Sequence, residues 1–475
     1  MNDHQLRDRL NSFGQSHVLR FWDRLSDSQR AALAAQLNRI DLAEIARLYA
    51  GRGDVEDFSR LLERIEPLSA IRLADRAAVL AEASRAGLVA LRAGRAAALV
   101  VAGGQGTRLG FDHPKGLFPI GPLSRRTLFQ IHVEKVLAAA RRCGRGIPLL
   151  VMTSPATDAE TREFFARNNR FGLPAEDLFV FCQGTMPAVS AADGRLLLDA
   201  PDHVAESPDG HGGMPAALAR SGGFDILQRR GVEYILYFQV DNPLAAALEP
   251  WFLGLHLMHR SEMSSQVVAK QSPDDRVGNV VSVGGRLHVV EYSDLPDEFA
   301  QRRTADGSLM IWAGSIAVHV INVDLLRRSV EGERALPFHL ARKRVPYLDD
   351  DGRRVEPSEP NAIKFERFIF DLMPQAENGV VVEVDPAEAF APLKNAPGAA
   401  TDTPEWVRRR MVELHRRWLS AAGVELGANT EVEISPLWAF DAQEAADKLP
   451  RGTRIDRPTY FSAEGPVELD PASPA

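Results

Sequence analysis

The sequence has few cysteines and no long apolar run. Its 475 residues include two cysteines, Cys143 and Cys182, which form no C-x-x-C motif. This pattern excludes a thiolate zinc cluster, and so sparse a use of cysteine is typical of proteins of the reducing cytosol. No apolar run approaches the roughly 20 residues that a membrane-spanning helix needs. We therefore expect a cytoplasmic protein that does not cross a membrane.

Positive charge is not in excess either. The formal net charge is −8, with 25% charged and 45% hydrophobic residues. This composition is that of an ordinary globular protein, and the negative charge does not favour nucleic acid or an anionic membrane as a partner. An anionic small-molecule substrate would therefore have to meet a local basic pocket. A chain of this length predicts two or three domains.

The most informative segment is a glycine-rich loop after a short apolar run, Ala96 to Ala102. Its residues are Gly103, Gly104, Gln105, Gly106, Thr107, Arg108, Leu109 and Gly110, and Lys115 follows in a Pro-Lys-Gly sequence. Glycines after a buried strand let the backbone approach a ligand closely, because no Cβ intervenes. Their amides can converge on phosphate oxygens, and Arg108 and Lys115 add fixed positive charge. The segment predicts a nucleotide-binding site.

Two common nucleotide-binding motifs are excluded here. A Walker loop ends in Gly-Lys-Ser/Thr, whereas Lys115 is followed by Gly116 and Leu117. A dinucleotide fingerprint needs G-x-G-x-x-G and an acidic residue at the end of the second strand. The loop lacks the third glycine, and the second strand candidate, Ile147 to Thr153, ends without a carboxylate. An NAD-dependent dehydrogenase is therefore only a remote alternative.

The pattern of apolar residues divides the chain into three parts. Residues 1–95 have apolar spacings of three and four and predict a helical region. Residues 96–395 alternate strand and helix candidates, which is typical of an α/β fold with a doubly wound sheet. Within this part, Gly284-Gly285 predicts a hairpin turn. Residues 396–475 predict a helix at Trp406–Ala422 and then short strands, a small α+β domain.

The string Gly-Gly-x-Gly-Thr-Arg-Leu with Pro-Lys-Gly resembles the sugar nucleotidyltransferases. Its continuation through Ser124 to Gln130 is similar to the eukaryotic-type UDP-N-acetylglucosamine pyrophosphorylases, and the resemblance covers nearly the whole chain. It implies a doubly wound mixed sheet of the nucleotidyltransferase type. It also implies a reaction in which a sugar 1-phosphate attacks the α-phosphorus of UTP and pyrophosphate leaves, with Mg²⁺ as cofactor.

The same resemblance implies roles for individual residues. Arg108, Lys115 and Lys394 would be catalytic: the first two would hold the triphosphate, and Lys394 matches the lysine that binds the phosphate of the sugar 1-phosphate. Asp241, just past an apolar strand, matches the aspartate that faces the metal. Gln183 matches the glutamine that reads uracil, since a carboxamide offers both a donor and an acceptor.

Further positions match the part of the family's site that contacts the nucleotide sugar. Gly210 and His211 lie in a Gly-x-Gly-Gly turn, whose backbone the family places near the uracil and whose second side chain it places on the sugar. Gly278 matches a glycine whose backbone lies against the sugar. Glu291 matches a glutamate that accepts hydrogen bonds from sugar hydroxyls. Ser315 stands where the family has the asparagine that contacts the N-acetyl group.

Two stretches depart from the acetyl-sugar enzymes. The family's Gly-Asn-Gly-Gly has His211 as its second residue, and the family's Ala-Gly-Asn-Ile-Ala-Asn-His has Ser315 and Val318 in place of its two asparagines. N-acetylglucosamine 1-phosphate is the first-choice substrate, and glucose 1-phosphate or another sugar 1-phosphate is the alternative. A non-catalytic sensor of nucleotide sugars is the alternative from a different class.

Overall fold

The computed structural model describes residues 3–51, 56–330 and 332–469. They form two compact units. The smaller unit combines Met1–Arg64, Gln183–Ala217 and Ala335–Asp371, and the larger unit combines Ile65–Cys182, Leu218–Arg334 and Leu372–Ala475. Both units join segments that are far apart in the sequence, whereas the predicted parts 1–95, 96–395 and 396–475 are continuous. That three-part division stays a prediction.

The helices and strands are numbered in chain order. The α-helices of the described residues are α1 (Asp3–Ser12), α2 (Asp27–Arg39), α3 (Leu42–Ala50), α4 (Glu56–Glu63), α5 (Leu73–Arg92), α6 (Leu128–Cys143), α7 (Asp158–Arg167), α8 (Met214–Arg220), α9 (Gly223–Arg229), α10 (Pro250–Met258), α11 (Asp297–Ala300), α12 (Val323–Arg328), α13 (Pro386–Ala389), α14 (Pro404–Ala421) and α15 (Ala442–Lys448). The strands are β1 (Ile65–Glu66), β2 (Ala96–Val101), β3 (Leu149–Thr153), β4 (Leu178–Cys182), β5 (Thr185–Pro187), β6 (Val189–Ser190), β7 (Leu198–Ala200), β8 (His203–Val204), β9 (Glu206–Pro208), β10 (Tyr234–Gln239), β11 (Met263–Ala269), β12 (Gly278–Val283), β13 (Arg286–Val290), β14 (Ala313–Asn322), β15 (His339–Lys343), β16 (Tyr347–Leu348), β17 (Arg354–Val355), β18 (Ala362–Glu366), β19 (Gly379–Glu383), β20 (Glu425–Leu426), β21 (Val432–Ile434), β22 (Arg454–Ile455), β23 (Thr459–Ser462) and β24 (Gly465–Glu468).

A ten-stranded mixed sheet forms the centre of the larger unit. Strands β10, β2, β3 and β4 are parallel neighbours in that order, and β14 runs antiparallel to β10, β11 and β12. Every residue of β2 is buried, which explains its uninterrupted apolar sequence, since helices or strands cover both faces of such a strand. The predicted α/β fold with a mixed sheet is confirmed. Because parallel strands end at one edge, the loops after β2 and β10 leave the sheet side by side.

Capping residues determine where the helices beside the site begin and end. α6 begins after Thr127, whose hydroxyl accepts from the Gln130 amide at 3.2 Å, and it ends just before Gly144, which has φ of +70°. The N-cap of α14 is Thr403, with a proline at the first helical position. The predicted hairpin is also present: β12 and β13 pair antiparallel across Gly284 and Gly285, whose φ angles are +57° and +74°.

The smaller unit has its own core. Helix α2 buries Leu33 and Leu37 in one cluster with Ile363 and Phe365 of β18, and helices α1 and α3 add apolar side chains to the same cluster. Strand β18 is the middle strand of a three-stranded sheet with β15 and β6. The predicted helical character of the N-terminal region is seen in these helices. None of the helices in the described part of the chain combines the length and apolar character that crossing a bilayer requires.

Candidate functional site

The glycine-rich loop follows β2 and folds back on itself. The Lys115 amide donates to the Gly104 carbonyl at 3.0 Å, and the Gly106 amide donates to the His113 carbonyl at 2.9 Å. A Cβ at Gly106 would lie 2.7 Å from the Phe111 carbonyl oxygen, so a larger residue would collide there. At Gly104, by contrast, the place of a Cβ is open space. The loop therefore returns Lys115 to the end of β2 and leaves room beside Gly104.

Other parts of the loop are accessible to a ligand. The side chains of Gln105, Thr107 and Arg108 are exposed. The amides of Gly103 and Gly104 donate to no oxygen of the described residues. Accessible amides beside a cationic side chain are the features with which glycine loops bind phosphate. The nucleotide-binding role of this loop stays a prediction, and its geometry is consistent with that role.

Lys115 connects the loop to two other predicted site segments. Its Nζ atom lies 3.4 Å from Oδ2 of Asp241 and donates to the Leu393 carbonyl at 3.2 Å. The Leu393 amide in turn donates to the Asp241 carbonyl at 2.8 Å, so the segment that leads into Lys394 is held beside the end of β10. The Lys115 and Asp241 side chains are 18% and 17% exposed, and water therefore screens their attraction only in part. The structure brings together Lys115, Asp241 and the backbone next to Lys394.

Asp402, an acidic residue that the sequence pattern did not mark, interacts with this group. Its backbone carbonyl accepts hydrogen bonds from the amides of Lys394 and Asn395 at 2.9 and 3.0 Å. Burial raises the pKa of the Asp402 carboxyl; the Lys394 ammonium opposes this shift and the Asp241 carboxylate adds to it. Asp402 also has φ of +62°, a left-handed conformation that is uncommon outside glycine. Two carboxylates and two lysines therefore meet at this edge of the sheet.

Helix α6 holds the chain on both sides of Asp241. His132 Nε2 lies 2.9 Å from the carbonyl oxygen of the residue before Asp241, and Lys135 Nζ donates to the Pro243 and Ala245 carbonyls at 2.6 and 2.9 Å. Burial lowers the pKa of His132 to about 3 and the pKa of Lys135 to about 8. The imidazole is therefore neutral near pH 7, and because its partner is a carbonyl, Nε2 carries the proton. One face of α6 thus fixes the position of Asp241.

Three of the sugar-binding candidates lie together in the larger unit. Gly278 at the start of β12 pairs with Ser315 of β14. A Cβ at Gly278 would lie 3.6 Å from Oε1 of Glu291 and 3.9 Å from the Ser315 Cβ. The β12–β13 hairpin produces this neighbourhood, because Glu291 follows β13 directly and returns to the start of β12. Their role in sugar binding stays a prediction, but the fold does bring all three residues together.

A bulge in β14 follows Ser315 directly. Along β11, Gln266 is opposite Val318 while the next residue, Val267, is opposite Ser315. Ala317, within the bulge, has φ of +54°, and its amide donates to the Ser315 hydroxyl at 3.3 Å. Val318 is fully buried in the core, whereas Ser315 is partly exposed. Of the two departures in this stretch, only Ser315 is therefore available to a ligand.

The remaining predicted residues, Gln183, Gly210 and His211, lie in the smaller unit. Gly210 has φ of +82°, and a Cβ there would collide with the Arg367 carbonyl oxygen. The Nδ1 atom of His211 accepts from the Ile369 amide at 3.1 Å, and burial lowers the pKa of His211 to about 4. The ring is therefore neutral near pH 7 and carries its proton on Nε2. His211 is a packed residue of the turn, and Gln183 is 8% exposed; the ligand roles of all three stay predictions.

Comparison with known proteins gives consistent results. The family model described as UTP–glucose-1-phosphate uridylyltransferase matches residues 57–406. The human protein named UDP-N-acetylhexosamine pyrophosphorylase-like protein 1 is 37% identical over 440 residues, which cover 89% of this chain and 86% of the relative. The Saccharomyces cerevisiae UDP-N-acetylglucosamine pyrophosphorylase is 33% identical over 440 residues, with 89% and 92% covered. The crystal structure of the Trypanosoma brucei uridine diphosphate N-acetylglucosamine pyrophosphorylase, in complex with an inhibitor, aligns with a TM-score of 0.79 at 28% identity, covering 96% of this chain and 99% of that chain.

These similarities extend over most of the chain and confirm the resemblance that the glycine-rich loop carries. The agreement with a solved structure over nearly the full length also confirms the fold class. The dehydrogenase alternative has no support in any of these similarities. The chain belongs to the UTP–glucose-1-phosphate uridylyltransferase family and is a nucleotidyltransferase of the UDP-sugar pyrophosphorylase type.

Proposed function

We propose that this enzyme joins UTP and N-acetylglucosamine 1-phosphate to give UDP-N-acetylglucosamine and pyrophosphate, with Mg²⁺ as its cofactor. The observation that carries the proposal is the convergence of Lys115, Asp241 and the backbone beside Lys394 at the end of β10. The names of the human and yeast relatives support an N-acetylated sugar. The two cysteines of the chain are free thiols, which supports a reducing, cytoplasmic location.

The geometry suits phosphoryl chemistry that needs no protein nucleophile. A sugar 1-phosphate oxygen would attack the α-phosphorus of UTP in line, and pyrophosphate would leave, so the protein has to position the substrates and neutralise charge. Arg108, Lys115 and the amides of the glycine-rich loop would hold the triphosphate. Lys394 would hold the incoming phosphate, and its backbone is tied to Asp402 at 2.9 Å. The hydrogen bonds from α6 would keep Asp241 from moving as the substrates bind.

The carboxylates at this site fit a magnesium ion that is held mainly by substrate and water. The described residues contain no group of three or more His, Cys, Asp or Glu side chains that could hold a metal. Mg²⁺ accepts one or two carboxylates when phosphate oxygens and water complete its octahedron. Asp241 would supply one carboxylate, and Asp402 interacts with it electrostatically. The ion would add charge neutralisation at the triphosphate.

A second candidate substrate, glucose 1-phosphate, is favoured by one specific observation. Ser315 is partly exposed beside Gly278 and Glu291, where the acetyl-sugar enzymes have an asparagine. A serine hydroxyl is shorter than a carboxamide and cannot offer a donor and an acceptor at the same reach. Substitution of Ser315 by Asn is therefore expected to favour the acetylated sugar over glucose, whichever of the two the wild-type enzyme prefers.

The experiment that tests the proposal measures pyrophosphate release from UTP and Mg²⁺ with the two sugar 1-phosphates side by side. Preference for the acetylated sugar in the wild-type enzyme supports the first choice. Preference for glucose replaces it with the alternative. Tight binding of UDP-sugar without Mg²⁺-dependent release of pyrophosphate would contradict catalysis and support a nucleotide-sugar sensor.

A further inference from the structure

A cavity of about 540 Å³ lies within the larger unit. Helices α5, α6 and α14 form much of its wall, together with the segment Pro243–Trp251 and the residues that lead into α15. This volume is within the range of about 300–1,000 Å³ that is typical of small-molecule sites. None of the glycine-rich loop, Asp241 or Lys394 lines the cavity. It is therefore separate from the proposed nucleotide site.

The wall of this cavity is apolar and carries no net formal charge. Trp251 and Trp418 line it together with Leu80, Leu88 and Met411. The ionisable residues of the lining are five basic and five acidic side chains, with His415 neutral because burial lowers its pKa to about 3. A wall of this kind does not favour a polyphosphate or any other strongly charged molecule. An uncharged ligand with an apolar body fits it best.

Several of the charged groups in the wall already have partners in the protein. Lys135 donates to two carbonyls, and Arg142 forms an ion pair with Asp441. Glu433 accepts from two backbone amides at 2.7 and 2.6 Å. These contacts hold the three side chains against the protein and occupy part of their hydrogen-bonding capacity. Binding at this cavity would therefore depend on those groups that lack a partner.

Four charged groups in the wall hydrogen-bond to no described residue: Arg85 and Glu388 are exposed, whereas Glu249 and Arg76 are partly buried. Within the described chain, the Glu249 carboxylate takes part in no hydrogen bond or ion pair, and burial raises its pKa to about 7. The Arg76 guanidinium lies over the Trp251 ring, 4.7 Å from its centre, and hydrogen-bonds to no described residue. Both interact electrostatically with each other and with other charged residues nearby, but their hydrogen-bonding capacity is left for a ligand or an ordered water. Glu249 and Arg76 together offer an acceptor and a donor.

We infer that this cavity is a second ligand site, which binds an uncharged molecule with an apolar or aromatic body and one amide group. The amide N–H would donate to the Glu249 carboxylate, and the amide oxygen would accept from the Arg76 guanidinium. The apolar body would pack against Trp251, Trp418 and the leucine side chains of α5. This pairing gives both groups a hydrogen-bond partner and adds no charge to the cavity.

The probe for this site is 4-fluoroacetanilide, which combines an aromatic ring with one amide. Binding is followed by ¹⁹F line broadening on the full-length protein, and the expected dissociation constant is about 0.1–5 mM for a molecule of this size. Glu249→Ala is expected to weaken binding about tenfold, because the acceptor is lost. Glu249→Gln keeps an acceptor and is expected to bind within about threefold of wild type. The matched probe 4-fluorotoluene, which has no amide, is expected to bind at least about tenfold more weakly.

A second variant tests the place of binding without touching the carboxyl group. Ser84 lines the cavity from α5, and Ser84→Trp is expected to fill it and abolish the broadening, with thermal melting as the check on folding. Saturating UTP and Mg²⁺ are expected to leave the probe bound. No binding by the wild-type protein, displacement of the probe by UTP, or wild-type affinity in both Glu249→Ala and Ser84→Trp would each overturn the inference.

Discussion

Removal of the Lys115 ammonium is the sharpest test of the proposed catalytic site. Lys115→Met keeps an unbranched apolar side chain and removes only the charged group, whose nitrogen lies 3.4 Å from Asp241 Oδ2 and 3.2 Å from the Leu393 carbonyl oxygen. The substitution therefore removes a cation from the triphosphate and separates Asp241 from its counter-charge. It also removes the side-chain link between the glycine-rich loop and the segment that leads into Lys394. We expect a large loss of activity with the fold intact.

The size of this loss follows from the position of the charge. A preorganised charged donor at developing transition-state charge contributes about 2–4 kcal/mol. At about 1.4 kcal/mol for each factor of ten, the rate constant kcat/KM should fall roughly 30- to 1,000-fold. Screening by water reduces this effect only in part, because the Lys115 and Asp241 side chains are 18% and 17% exposed. Lys115→Arg keeps the charge on a longer, planar group and should recover part of the loss.

The assay is pyrophosphate release at saturating Mg²⁺, with UTP varied so that kcat and KM are obtained separately. Lys343→Met is the matched control, because Lys343 is an exposed lysine on β15 outside the proposed site; its activity should stay within about twofold of wild type, as exposed substitutions usually have small effects. Activity of Lys115→Met within a factor of three of wild type would refute the proposed role of this lysine and, with it, the observation that carries the proposed function.

Three further predictions concern Asp241, Asp402 and Glu249. Asp241→Asn keeps the shape of the side chain and removes its charge, so kcat should fall at least about 100-fold and Mg²⁺ up to high concentration should not restore it; full rescue by Mg²⁺ would contradict a direct metal contact. Asp402 has φ of +62°, so Asp402→Gly should keep the free energy of unfolding within a few tenths of a kcal/mol, while Asp402→Ala should lose about 1 kcal/mol in denaturant titrations. Equal stability of the two would show that the backbone there is not strained. Burial raises the pKa of Glu249 to about 7 from 4.5. Between these pH values the folded state keeps a proton that the unfolded state has lost, so the free energy of unfolding falls as the pH rises through this window. Glu249→Gln should remove this fall, which is at most about 3 kcal/mol. Thermal denaturation of both proteins at pH 4.5 and pH 8 measures it, and a parallel pH dependence would contradict the shift.

Those parts of the site that follow a single strand were predictable from local sequence. The glycine-rich loop could be placed because an uninterrupted apolar run before it marks a buried strand, and strand β2 is buried throughout. Asp241 could be placed for the same reason at the end of β10. Because the two strands are parallel neighbours, these segments had to leave the sheet side by side. The alternating pattern predicted that both loops lie at the carboxyl ends of strands, but that β10 is the neighbour of β2 is known only from the structure.

The contacts that other segments make with the site could not be predicted from the local sequence. Asp402 precedes Thr403 and Pro404, and such a sequence indicates a helix N-terminus, which the structure also contains. Nothing in that pattern shows that the backbone carbonyl of Asp402 accepts from the Lys394 amide. His132 and Lys135 share a face of α6, but their spacing of three residues does not reveal that this face meets the chain around Asp241. Such contacts depend on how whole elements pack, and periodicity within one element does not encode that packing.

Because of the bulge in β14, only one of the two substituted positions in this strand can contact the sugar. In the sequence, Ser315 and Val318 each replace an asparagine of the acetyl-sugar enzymes, and the resemblance assigns the N-acetyl contact to the position of Ser315. In the structure, the bulge turns the strand between them, so that Val318 is fully buried in the core while Ser315 stays beside Gly278. The apolar side chain of Val318 therefore serves packing in the core. Of the two substitutions, only the one at Ser315 can change a hydrogen bond to the sugar. Because one hydroxyl in place of one carboxamide changes one or two hydrogen bonds, we expect it to alter the preference between sugars by about tenfold and to leave the uridylyl chemistry intact.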